Sequence, residues 1–276
     1  MSTGAIPASK FIESPKGRIH YQEVGEGDPV VLIHGGGAGA FGYSNYRKNI
    51  GPLSQRNRVI LFDMPGFGQS TARPAPDGLF KSMATTLGEV LDHLKIRKTS
   101  LVGNSLGGAT SLRFTLDSPD RVDRLILMGS AGGLPVHTVT PNEGAFRLLG
   151  FYRGEGPTKA KLKALLEVLI YDTSGITEEL LAERFKSATE PSVVANPPLH
   201  LFKPNDRLWT EPLDQLQHKT LLIWGREDRI VPLDSAYIFQ KQIPNADLVV
   251  FSKCGHWAQW EKADQFNRIV GDFLRH

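Results

Sequence analysis

The pentapeptide Gly103-Asn104-Ser105-Leu106-Gly107 is where this 276-residue chain most directly suggests covalent chemistry. A serine with glycines two residues either side can occupy a tight turn between a strand and a helix, its hydroxyl thrust outward. Gly108 further lowers crowding where such a helix passes its strand. By itself the pattern also fits an ordinary strand–helix turn, so the partners decide. A serine hydroxyl is a weak nucleophile that needs a base, and the base needs an orienting acid. Around this kind of turn they follow in the order serine, acid, histidine. Two later loops supply them: Gly225-Arg226-Glu227-Asp228-Arg229 and Gly255-His256-Trp257. His256 is the expected base and Asp228 its acid; Glu227, one residue sooner, is the less favoured alternative. The loop Gly129-Ser130-Ala131, another position where an acid could stand, has no carboxylate.

Acyl transfer also needs donors for a developing oxyanion. The run His34-Gly35-Gly36-Gly37-Ala38-Gly39 allows backbone N–H groups to approach a substrate closely. The amides of Gly36 and Leu106 are the expected donors, with Gly35 and Gly37 beside the substrate. A phosphate loop is a weak reading, because no Gly-Lys-Ser/Thr ending is present. His34 is expected to brace the glycine run. Asp63-Met64-Pro65-Gly66-Phe67-Gly68 reads as a structural turn. His20, His93, His137, His200, His218 and His276 have no paired motif and read as surface or structural residues.

Elements of two kinds must carry these loops. Residues 29–34 (PVVLIH), 58–62 (RVILF), 99–103 (TSLVG), 124–128 (RLILM), 220–224 (TLLIW) and 247–251 (DLVVF) are unbroken apolar runs. Such runs suit parallel strands covered on both faces. Helical patterns at 81–94, 106–116 and 264–274 alternate with them, which predicts a doubly wound α/β fold. Ser105, Asp228 and His256 then all follow strands at the sheet's carboxyl edge, where ligands bind in open α/β sheets. Between about 134 and 213 strand runs vanish, helical patterns at 161–169 and 177–187 take over, and Pro191, Pro197, Pro198 and Pro204 cluster. Residues 134–213 are therefore expected to form a helical cap on a core of residues 1–133 and 214–276.

The formal charge is +3, and the evenly spaced Lys159, Lys161 and Lys163 read as solvated surface, so nucleic acid is not an expected partner. Cys254 is the only cysteine, which excludes an internal disulfide and a cysteine-rich metal site. Neither a metal nor a cofactor is expected. No basic segment followed by an apolar stretch occurs in residues 1–10, and no apolar run approaches the ~18 residues of a membrane span. A cytoplasmic protein without membrane contact is the expectation.

Beyond these motifs the chain resembles the meta-cleavage product hydrolases, carbon–carbon bond hydrolases of the α/β-hydrolase superfamily that act in aromatic degradation. The likeness covers nearly the whole chain. It is sharpest in HGGGAGA (34–40), SNYRKNIGPL (44–53), GNSLGGAT (103–110), LILMGSAGG (125–133), YDTSGITEELLAERF (171–185), WGREDRIVPLD (224–234) and FSKCGHWAQWEKADQFN (251–267). The last is the most specific, since most α/β-hydrolases share only its Gly-His.

The resemblance implies an α/β-hydrolase fold and hydrolysis of 2-hydroxy-6-oxohexa-2,4-dienoates to a 2-hydroxypenta-2,4-dienoate and a carboxylic acid. It makes Ser105 the nucleophile, His256 the base and Asp228 the acid. Asn45, Asn104, Arg184 and Trp257 would hold the dienoate's carboxylate and 2-oxygen. An arginine is chemically apt, since its planar fork matches a carboxylate. The plainer readings are a surface ion pair of Arg184 with Glu178, Glu179 or Glu183, and core packing for Trp257. Ala38, Leu169, Ile230 and the stretch 191–208 depart from the family and would line the pocket for the C6 substituent. A homodimer or larger homo-oligomer is also implied. The competing activity is a carboxylesterase or lactonase using the same triad. A haloalkane dehalogenase is excluded by the serine at 105, and a non-catalytic relative is disfavoured by an intact serine and histidine.

Overall fold

A computed structural model describes residues 6–139, 141–203 and 206–275. The expectations that touch residues 1–5, Pro204 and His276 therefore fall outside the described residues. The strands are β1 (Lys10–Ile12), β2 (Ile19–Val24), β3 (Asp28–Ile33), β4 (Asn57–Phe62), β5 (Thr99–Asn104), β6 (Val122–Met128), β7 (Lys219–Gly225) and β8 (Ala246–Phe251). They form one sheet in the order β1-β2-β4-β3-β5-β6-β7-β8. From β4 across to β8 every pairing is parallel, while β2 runs antiparallel to both its neighbours.

Neighbouring side chains of a strand point to opposite faces, so a parallel strand covered on both sides must be apolar throughout. Val31, Ile33, Leu101, Leu127 and Trp224 enter one core. Val30, Leu32, Val102, Met128 and Ile223 enter the other. Helices α1 (Gly42–Tyr46), α2 (Ile50–Ser54), α3 (Leu79–His93) and α4 (Leu106–Asp117) belong to the first half of the chain. Then come α5 (Glu143–Gly150), α6 (Lys159–Leu169), α7 (Glu178–Ala188) and α8 (Pro191–Ala195), all between β6 and β7. The chain closes through α9 (Asp234–Gln242), α10 (Ala258–Glu261) and α11 (Ala263–Phe273). Leu87 of α3, Leu112 of α4 and Phe239 of α9 cover the first face; Tyr46 of α1, Leu53 of α2 and Phe266 of α11 cover the second.

The helices between β6 and β7 build a third, smaller core from Phe151, Leu162, Leu165, Leu166, Leu181 and Ala188, which also takes in Ala38, Ile230 and Trp257. This cluster seats the insertion on the loops at the carboxyl edge of the sheet. Threonine hydroxyls start two of its helices: Thr158 accepts Lys161 N–H, and Thr177 accepts Leu180 N–H. Among the described residues, no helix is long and apolar enough to cross a membrane.

One expectation needs correction. Lys161 is not a freely solvated charge: its ammonium is half-buried and donates to the carbonyls of Gly150, Phe151, Arg153 and Gly156 at 2.6–3.4 Å. It ties the start of α6 to the turn after α5, whereas Lys159 and Lys163 are exposed. Of the two readings given for His20, surface or structural, the second holds. His20 is 3% exposed on β2, its Nδ1 lies 2.8 Å from Asp63 Oδ2 and its Nε2 2.9 Å from Ser9 Oγ. Strands β1 and β2 and helix α9 had no counterpart in the apolar pattern. In β2 the reason is visible, because buried His20 and Gln22 satisfy their polar groups by pairing with Asp63 and the Pro7 carbonyl.

Candidate active site

Ser105 sits between β5 and α4 with φ 56° and ψ −114°. A non-glycine residue at positive φ is costly and survives only where its surroundings enforce it. Here Ser105 N–H donates to the Met128 carbonyl at 2.9 Å, and its own carbonyl accepts from Ala109 and Ala131, each at 3.0 Å. Gly107 makes the turn possible, since a Cβ there would lie 2.1 Å from the Ile33 carbonyl oxygen. Leu106 opens α4, so its N–H has no partner within the helix and points out at the helix start.

His256 is 3% exposed, and its Nδ1 lies 2.7 Å from Asp228 Oδ2. The other oxygen of Asp228 accepts Ile230 N–H at 2.8 Å and Val231 N–H at 2.9 Å, so the carboxylate is aimed before any ligand arrives. Glu227 points away, accepting Cys254 N–H at 3.0 Å and pairing with Arg226. With Nδ1 engaged, His256 has Nε2 left for proton transfer. Ser105 and His256 line the same cavity, without a hydrogen bond between them in the described structure. Such bonds often close only around a substrate.

The same cavity gathers Gly35, Gly36 and Gly37 from the loop after β3, Asn45 from α1 and Asn104 from β5. Leu169, Arg184, Ile230 and Trp257 complete the set named from the sequence, and Ala40 and Leu148 join them unannounced. Asp228 stands behind His256, and Leu106 can contribute its amide from the helix start. His34 braces the loop as expected: Nδ1 donates to the Gly35 carbonyl at 2.8 Å, and Nε2 accepts Met64 N–H at 3.0 Å. Burial pushes the pKa of His34 down, which suits a neutral ring. His93, His137 and His200 are exposed, and His218 is half-buried.

Arg184 is fully buried. Leu180, Leu181 and Ala188 are the other buried residues of α7, so helical spacing turns Arg184 inward with them. None of the three alternative ion pairs forms: Glu178 and Glu179 are exposed, and Glu183 pairs with Arg47. Nε and Nη2 of Arg184 donate to the Ala38 carbonyl at 3.1 and 2.7 Å, while Nη1 has no hydrogen-bond partner among the described residues. The guanidinium lies 4.7 Å from the centre of the Trp257 ring. Burial pushes its pKa down to about 10, against the nearby Glu183 carboxylate that raises it, so the group stays cationic at neutrality. Gly39, at φ 68°, lets the glycine loop pass under α7, because a Cβ would lie 2.0 Å from the Arg184 carbonyl.

Asn45 and Asn104 already touch each other. Asn45 Nδ2 donates to Asn104 Oδ1 at 3.4 Å, and Asn104 Nδ2 reaches the Met128 and His256 carbonyls at 3.2 and 3.4 Å. Asn104 thus also braces the loop that carries His256. Leu148 lay beyond the reach of sequence patterns, because its place depends on how α5 lies across the sheet edge.

Comparison with known proteins identifies the family. The α/β hydrolase fold family model matches residues 28–263. A 2-hydroxy-6-oxo-6-phenylhexa-2,4-dienoate hydrolase of Comamonas testosteroni is 42% identical over 262 residues, covering 93% of this chain and 91% of that protein. A 2-hydroxy-6-oxononadienedioate/2-hydroxy-6-oxononatrienedioate hydrolase of the same species is 42% identical over 276 residues, covering 96% of each. The crystal structure of a meta-cleavage product hydrolase from Pseudomonas fluorescens superposes with a TM-score of 0.85 at 34% identity, covering 96% of this chain and 97% of that one. The chain belongs to the α/β-hydrolase fold family and, within it, to the meta-cleavage product hydrolases.

Proposed function

We infer that the chain is a serine-dependent carbon–carbon bond hydrolase of 2-hydroxy-6-oxohexa-2,4-dienoates. The observation that carries this beyond general ester chemistry is the buried guanidinium of Arg184, whose unpartnered Nη1 shares a cavity with Ser105 and His256. A simple ester needs no such charge, whereas a dienoate brings a carboxylate to meet it. Asn45 and Trp257 complete that end of the site.

In this reading the dienol first takes up a proton at C5 to give the keto form. Ser105 Oγ then adds to C6 as His256 Nε2 takes its proton, and Asp228 stabilises the imidazolium. The oxyanion lies against the amides of Gly36 and Leu106. When the C5–C6 bond breaks, its electron pair runs through the conjugated system to the 2-oxygen, leaving a 2-hydroxypenta-2,4-dienoate after protonation. Water then hydrolyses the acyl-serine to the carboxylic acid. Residues 134–213 act as a cap that shuts solvent from the intermediate, over a core of residues 1–133 and 214–276. The lone cysteine, Cys254, buried as a thiol, fits a cytoplasmic enzyme.

Mixing the protein with 6-phenyl and 6-alkyl dienoates is expected to bleach their yellow dienolate absorbance. Ser105→Ala and His256→Ala should each lower kcat by ~10³-fold or more with the fold retained by circular dichroism. Rapid turnover of aryl esters with no dienoate consumed would identify an esterase instead.

A further inference from the structure

We propose that Arg47 is a positioning residue for the substrate's carboxylate and acts through Glu183: it neutralises a carboxylate that would otherwise oppose a second one binding at Arg184. The proposal rests on the carbon–carbon hydrolase reading above, in which Arg184 meets the carboxylate of the dienoate.

Glu183 precedes Arg184 on α7. Consecutive side chains stand roughly 100° apart around a helix, so Arg184 turns into the cavity and Glu183 does not. The charge of Glu183 reaches the guanidinium all the same. Burial lowers the pKa of Arg184, the Glu183 carboxylate raises it, and the Arg47 guanidinium lowers it again. Tyr152 also acts on Arg184, but it is a neutral phenol at neutrality, because burial pushes its own pKa up to about 12. Glu183 is thus an anion placed to repel an incoming carboxylate, and Arg47 the cation placed to cancel it.

Arg47 comes from the core of the molecule, directly after α1, the helix that carries Asn45. Its Nη2 donates to Glu183 Oε2. The guanidinium lies 5.3 Å from the centre of the Tyr43 ring and 5.7 Å from that of Trp260, so it is aimed before any ligand arrives. With side chains 25% and 33% exposed, the pair adds little to stability. Beside a buried anion site, where water screens less, the same charges weigh more.

The test measures kcat and KM for a 6-phenyl dienoate and for an uncharged aryl ester, at low salt and neutral pH. Arg47→Ala is expected to raise the dienoate KM about fivefold, while its kcat and both ester constants stay within about twofold. Arg47→Lys keeps the charge and should keep the KM. Glu183→Gln should leave the KM unchanged or lower it. Combined with Arg47→Ala, it should return the KM to within about twofold of the parent value. High salt should narrow the Arg47→Ala gap. If Glu183→Gln raises the KM as Arg47→Ala does and the double variant shows no rescue, the pair is a tether between α1 and α7 and the proposal falls. Equal losses on dienoate and ester would make Arg47 a structural residue. A parent protein that turns over dienoates, with Arg47→Ala unchanged, would overturn the proposal and leave the carbon–carbon reading intact. A parent that consumes no dienoate would instead sink that reading, and the proposal with it.

Discussion

Arg184 holds a buried charge whose hydrogen bonds, among the described residues, go to one carbonyl, that of Ala38. Leaving a buried cation without a counter-ion costs stability, so a structural purpose would be better served by an apolar residue of similar volume. In the proposed reading its Nη1 is the donor left for a carboxylate, while the Trp257 ring covers the guanidinium at 4.7 Å. A charge-assisted hydrogen bond contributes about 1.5–3 kcal/mol, so Arg184→Gln is expected to lower kcat/KM for a dienoate by roughly 10–100-fold. Turnover of an uncharged aryl ester should change far less. Parallel measurement of both substrates checks this, and equal losses would make Arg184 a structural residue. His20 gives the instructive contrast. Its ring bridges Asp63 and Ser9 much as a catalytic histidine would, yet Asp63 also accepts Gly42 N–H and Gln69 N–H and serves the packing of loops. A histidine–carboxylate pair becomes a site only where a cavity, oxyanion donors and a substrate anchor meet it.

At the scale of elements, that Asp63 clasp joins β2, the loop after β4 and the start of α1, and so supports the segment that carries Asn45. Burial pushes the Asp63 carboxyl up, but the hydrogen bond from His20 and its neighbours outweigh that and hold it below the usual carboxylate range. A carboxylate whose folded pKa is depressed contributes stability that is complete above its ordinary value. That stability is lost as pH falls through the folded value. Asp63→Asn is therefore expected to cost about 2–4 kcal/mol near neutrality. The gap to the parent protein should narrow below about pH 4. Thermal unfolding of both proteins across pH reads this directly. A gap that stays constant into acid would mean that the charge of Asp63 contributes nothing.

At the scale of the molecule, the helical insertion is sewn to the loop of the catalytic histidine by backbone bonds. His256 N–H donates to the Leu169 carbonyl at the end of α6, at 2.7 Å. Glu261 accepts Gly255 N–H with one oxygen at 2.8 Å and Tyr171 N–H with the other at 2.7 Å. The position of His256 is thereby tied to that of the insertion. Glu261→Gln replaces one acceptor oxygen by an amide donor and should cost about 1.5–3 kcal/mol of stability. It should also lower kcat for a dienoate about tenfold, because small displacements of catalytic groups are costly. Unfolding midpoints and kcat together decide: lost stability with unchanged kcat would reduce Glu261 to a fastener of the fold.

The order of serine, acid and histidine, the glycine loop and the run of buried strands were all legible in the sequence. They depend on local backbone demands: a glycine where a Cβ cannot fit, and an apolar residue at every position of a strand covered on both faces. The β1–β2 ribbon was not legible, because His20 and Gln22 are buried through partners at Asp63 and Pro7 that no periodicity announces. Nor could the residues alone distinguish a salt-bridged Arg184 on the surface from a buried one. What the sequence offered by itself was a serine, a carboxylate and a histidine in an order that suits nucleophilic catalysis, with a glycine loop before them. Only the tertiary structure decided that Arg184 is buried and lines the cavity. That follows from how the insertion packs across the sheet edge, and long-range packing leaves no local signature.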